Sequence, residues 1–69
     1  MTGEMNYQTA IKHGAHLFSL CKASKHVTDS SMEADIMAHY CGLIAFAFQK
    51  AQTTVIEDVM RYHKQKGLP

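Results

Sequence analysis

The segment Cys21–Asp35, CKASKHVTDSSMEAD, reverses the sign of its charge at the centre: Lys22, Lys25 and His26 come first, then Asp29, Glu33 and Asp35. Aligned peptide dipoles leave partial positive charge at a helix N-terminus and partial negative charge at its C-terminus, so acids favour the first turn and bases the last. The segment therefore reads as one helix ending and another starting. Its SSME tetrad supplies the start, with Ser30 as N-cap and Glu33 reaching back to close a capping box.

Outward from this point the same alternation divides the chain into acid-to-base cycles. They run from Glu4 to Lys22 and Lys25, from Asp29, Glu33 and Asp35 to Lys50, and from Glu57 and Asp58 to Arg61, Lys64 and Lys66. The stretch TTVIE offers a second capping box with Thr54 and Glu57. Pro69 is the sole proline, and Gly14 and Gly42 lie inside apolar-periodic segments, away from turn clusters. These signals predict an all-α fold: one small three-helix domain over residues 1–69, with helices at 4–26, 30–51 and 54–66.

At 100° per residue, Tyr7, Ala10, Ile11, Gly14, Leu17, Phe18 and Cys21 share one face of the first helix, with Gly14 where a neighbouring helix could approach closely. In the second, Ile36, Met37, Tyr40, Cys41, Leu43, Ile44, Ala47, Phe48 and Ala51 cover nearly half the circumference, which makes it the central element. Carrying that phase into Val55, Ile56, Val59, Met60 and Tyr62 turns the apolar direction by roughly a quarter turn, so a break is expected near Gln52 and Thr53.

A chain of 69 residues buries only about 60% of the surface its unfolded form exposes. A core of that size rarely supplies more than about 3–5 kcal/mol, and such domains add a disulfide, a metal, idealised packing or a partner subunit. Two cysteines, with no charged-then-apolar leader before them, point to a reducing, cytoplasmic setting. The longest apolar run, CGLIAFAF from Cys41 to Phe48, falls short of the ~20 residues that cross a bilayer, so no membrane role is expected. The route left open is completion by homodimerisation.

The groups that could carry chemistry do not assemble into a motif. His13 and His16 have a spacing that can present two imidazoles to one metal, and Cys21, His39 and Cys41 could add ligands. A structural zinc site needs a closed set of four, yet Cys21 faces the core while His13 and His16 lie across the same helix. Buried reduced thiols and solvated histidines are the expectation, with no metal and no cofactor. Asp35 and His39 form an i, i+4 pair that could orient an imidazole as a base, but an exposed pair of this kind is ordinary on helices. No catalytic residue is assigned, and a non-enzymatic protein is expected.

Seven Lys and Arg against six Asp and Glu give a formal charge of +1, without the basic surplus that gripping phosphates demands. The alternative, a small DNA-associated transcriptional regulator with a degenerate helix-turn-helix in QKAQTTVIEDVMRY, meets two objections. Glu57 and Asp58 would fall in the reading helix's first turn, and the usual turn glycine is missing. What remains is apolar content on polar faces. Thr9, His13, His16 and Leu20 form a second stripe on the first helix, and Phe46 lies on the polar side of the second, among Asp35, His39, Gly42 and Lys50. An aromatic beside a glycine and rimmed by charge is the pattern of a helical contact site. The expectation is a protein–protein interaction module, self-associating as a dimer, that binds and modulates a larger protein. Phe46 would be its anchor, with Gly42, His39, Asp35, Lys50, Leu20, His16 and His13 around the contact.

Overall fold

The first helix begins where a side chain can replace its missing hydrogen bonds. The computed structural model describes residues 6–69 and places α1 at Tyr7–Ala23, with Asn6 as N-cap accepting from the Thr9 N–H at 2.8 Å. The expected start at residue 4, and with it Glu4 as the acid of the first cycle, lies outside the described residues. The first turn of α1 holds no acid, and the amide of Asn6 serves its N–H groups. The helix ends three residues before the expected position because Ser24 turns extended (φ −76°, ψ 134°) and its hydroxyl accepts the His26 N–H at 3.1 Å. Lys25 and His26 thus lie in the connection, leaving Lys22 as the base of the last turn.

Helix α2 spans Ser30–Phe48. Its cap is Asp29, one residue before the expected Ser30: Asp29 enters extended (φ −148°, ψ 167°) and its Oδ1 accepts from the Met32 N–H at 2.8 Å. Asp and Ser cap about equally well, so the backbone direction entering the helix decides between neighbours, and Glu33 falls one place beyond the capping-box position. At the other end Gln49 adopts the left-handed conformation (φ 55°, ψ 47°), and the Lys50 N–H reaches back to the Ala45 carbonyl at 2.9 Å. This Schellman-type closure ends the helix at Phe48, so the expected end at 51 and the break near Gln52 move a few residues earlier.

Helix α3 spans Gln52–Gln65 with Ala51 as N-cap and no capping side chain. Thr54, expected as its cap, lies inside the first turn. The side chain of Gln52 instead crosses to α2 and donates to the Ala38 carbonyl at 2.6 Å, fixing the start of α3 against the helix before it. The acids expected at the start, Glu57 and Asp58, belong to the second turn; His63 and Lys64 supply the bases of the last.

Each helix packs against both others. The core they enclose holds Ala10, Ile11 and Ala15 of α1, Met37, Cys41, Ile44 and Ala45 of α2, and Val55 and Val59 of α3, with Cys21 buried at the end of α1. Val55, Val59 and Cys41 are its largest fully enclosed side chains. Gly14 stands where the three helices meet: a Cβ there would come within 2.9 Å of Val59 Cγ2 and 3.5 Å of Tyr40 Cε2. Here the glycine has a packing role, because α3 occupies the space that a side chain would need. Four residues expected on the apolar face of the second helix do not join the core: Ile36, half-buried outside it, Ala51, exposed as the N-cap of α3, and Leu43 and Ala47. Leu43 is 56% exposed and Ala47 is exposed, because the two neighbouring helices cover less of α2 than its apolar arc extends.

Candidate functional site

The outward face of α2 carries the apolar residues that the bundle leaves uncovered. At 100° per residue Met32, His39, Leu43 and Phe46 fall within a narrow arc opposite Met37, Cys41 and Ile44. Phe46 is 88% exposed, Leu43 56% and Met32 40%. Asp35 and His39 are exposed on the same side. Lys50 is also exposed, but its Nζ lies 4.7 Å from the centre of the Tyr7 ring, so it leans toward α1 and away from the α2 arc. Gly42 is half-buried, and the Gln52 side chain lies where its Cβ would point, 3.4 Å away at Nε2. The room that Gly42 makes beside Phe46 is thus filled by the clamp between α2 and α3. His13, His16 and Leu20 are exposed on the outer side of α1, with Leu20 66% accessible.

Two polar arrangements were missed in the sequence. The first joins α1 to α3: the Tyr7 hydroxyl donates to Asp58 Oδ2 at 2.5 Å, and Arg61 donates to Asp58 Oδ1 at 2.9 Å. Burial, with the adjoining carboxylate, pushes the Tyr7 hydroxyl up to about 12. The hydrogen bond from Tyr7, helped by Arg61, holds Asp58 below its usual range even though burial opposes this. The pair therefore stays Tyr–OH and carboxylate across neutral pH, and neither group is poised to exchange a proton there. It borders an open cleft of about 270 Å³ that Gln8, Tyr62 and Gln65 also line. A partner 51 positions away leaves no local sequence signal.

The second is centred on His63, to which the sequence reading gave no role and which is buried. Its ring meets Phe18 edge-on at 4.8 Å, and its Nε2 lies 2.7 Å from the Pro69 carbonyl and 3.1 Å from Ser19 Oγ, whose hydroxyl donates to the same carbonyl at 2.9 Å. The Pro69 oxygen only accepts, so Nε2 is the ring nitrogen that carries a proton in this contact. The spacing Val55, Val59, His63 puts this histidine on the buried stripe of α3, and that signal was available in the sequence.

Cys21 and Cys41 are free and buried, and burial pushes both thiols up, against nucleophilic use. Among the described residues no three of His, Cys, Asp and Glu gather as a metal site would require. None of the described helices is long and apolar enough to cross a membrane. No known protein family matches the chain, and neither a curated protein nor a solved structure does.

Proposed function

We propose that this chain is a small non-enzymatic protein–protein interaction module that binds and modulates a larger protein, acting as a homodimer. The contact surface is the outer face of α2. The observation that carries the reading is the 88% exposure of Phe46 beside Leu43 on one face of a helix whose opposite face already fills the core. Fully burying a Phe or Leu side chain contributes about 1.5–3 kcal/mol each, so covering both gains enough to offset part of the cost of association. Asp35 and His39 rim the pair, as charged and polar residues rim the apolar centre of a contact site. The mechanism is stoichiometric: the dimer closed by this face occupies a partner's site or holds one of its conformations.

The test is sedimentation of the wild type and Phe46→Ala over a wide concentration range, followed by capture of partners with each. A wild-type assembly that Phe46→Ala weakens at least tenfold supports the reading. Unchanged mass and unchanged partner capture in the variant would sink it.

A further inference from the structure

We propose that the cleft between the start of α1 and the second half of α3 binds a phosphate monoester group. The site is independent of the outer α2 face: Tyr7 and Gln8 wall it from α1, and Asp58, Arg61, Tyr62 and Gln65 wall it from α3. Those four positions of α3 fall within about 100° of one helical arc, so a single face of the helix supplies them. At about 270 Å³ the cleft is just smaller than the roughly 300–1,000 Å³ of sites that enclose a drug-sized ligand, so it suits a charged group at the end of a ligand.

The side chains around the cleft leave a surplus of positive charge. Both oxygens of Asp58 are engaged, Oδ2 by the Tyr7 hydroxyl and Oδ1 by Arg61 Nη1 at 2.9 Å, so the carboxylate acts as an anchor within the wall. Arg61 commits only that one nitrogen. Its side chain is 60% exposed, and its other N–H groups have no partner among the described residues. A guanidinium held at one end and open at the other presents the donor fork that phosphate oxygens accept. Lys50 Nζ lies 4.7 Å from the centre of the Tyr7 ring, and Lys66 Nζ 5.6 Å from that of Tyr62, the two aromatic walls. Both lysines are exposed, and a cation over an exposed ring is held weakly beside a charge-assisted bond to phosphate, so either ammonium can swing to the ligand. Asp58 and Arg61 cancel, which leaves the charge of the two lysines to be matched. A phosphate monoester carries about −1.5 to −2 at neutral pH, more than the single charge of a carboxylate. The exposed amides of Gln8 and Gln65 add neutral donors for the remaining oxygens. Glu57, the other acid of α3, lies about 100° round the helix from Asp58 and does not line the cleft. The surplus is local in a chain whose formal charge is only +1, so the site takes one phosphate and not the backbone of a polyanion.

The experiment is a titration of the isotope-labelled full chain at constant ionic strength, followed by NMR correlation spectra of the backbone amides and of the Arg61 Nε–H. The probes are inorganic phosphate, glycerol phosphate and N-acetyl-phosphoserine amide, with acetate as the control. Saturable shifts at Tyr7, Gln8, Arg61 and Gln65 support the proposal when the affinity falls at least about tenfold in Arg61→Gln and about threefold in Lys50→Gln and in Lys66→Gln. All three positions are exposed, so the variants keep the fold, which circular dichroism verifies. Tighter binding of the phosphoserine probe assigns the phosphate to a partner's side chain, and tighter binding of glycerol phosphate assigns it to a free small molecule; either supports the site. No saturable shift with phosphate, an equal response to acetate, or wild-type affinity in Arg61→Gln would overturn it.

Discussion

Replacing Gly14 by Ala tests the packing of the bundle at its tightest point. The new Cβ would lie 2.9 Å from Val59 Cγ2, against the roughly 3.5–4.0 Å at which carbon atoms rest. Val59 is fully buried, and a β-branched side chain in a helix has one strongly preferred χ1, so it cannot swing aside. Tyr40 closes the other side at 3.5 Å, and relief requires α3 to back away from α1. Overpacking of this kind costs about 1–3 kcal/mol, and a stiff, enclosed neighbour places it in the upper half of that range. Ala returns about 1 kcal/mol of helix propensity. The expected net loss is about 1–2 kcal/mol, or a fall in Tm of about 5–15 °C for a domain of this length. Thermal and urea unfolding followed by circular dichroism would measure it, at one fixed protein concentration because association shifts apparent stability. In a Val59→Ala background the space is open, and Gly14→Ala is expected to stabilise by about 1 kcal/mol. A Gly14→Ala protein as stable as the wild type or more so, or one shifted equally in both backgrounds, would refute this packing role for Gly14.

Other substitutions separate the observed contacts from plausible neighbours. Asp29→Ala should cost about 1 kcal/mol and Ser30→Ala only a few tenths, since only Asp29 accepts the Met32 N–H; equal losses by urea denaturation would reassign the cap. Gln49→Gly should raise stability by about 0.5–1 kcal/mol, because the residue holds φ 55°, where glycine escapes the Cβ penalty; a drop in Tm would contradict this. Tyr7→Phe should cost about 1 kcal/mol at neutral pH by removing a hydrogen bond to a partly exposed carboxylate. Asp58 titrates lower folded than unfolded, so its contribution is whole above about pH 4 and is lost as pH falls through the lowered value. Tyr7 is raised, so its contribution is whole below about pH 10 and is lost as pH climbs toward about 12. Urea midpoints across pH should show both losses in the wild type and neither in Tyr7→Phe/Asp58→Asn.

The three helices and the polarity of α2 were legible because their signals are local. Charge sorts along each segment by the dipole, and the apolar positions repeat at helical spacing within one or two turns of themselves. Phe46 could be placed on the polar side of α2 for the same reason. The helix ends were less legible. Ser30 and Asp29 compete for one cap with equal chemistry, and Gln49 gives no sign in its type that it will adopt a left-handed turn. Lys50 reads as a rim residue of the Phe46 face, but the ring of Tyr7 draws it to α1.

By itself, then, the chain determined that it is helical, where its helices roughly lie and which side of each is apolar. Tertiary structure alone decided the rest, since each remaining feature joins residues far apart in the chain. Gly14 matters because Val59 arrives opposite it, Asp58 titrates below its usual range because Tyr7 reaches it, and the partners that His63 finds, Phe18 and Ser19, come from the far end of the chain. The apolar arc of α2 exceeds what two neighbouring helices can cover. That mismatch between the width of a stripe and the number of elements packed on it leaves Leu43 exposed beside Phe46.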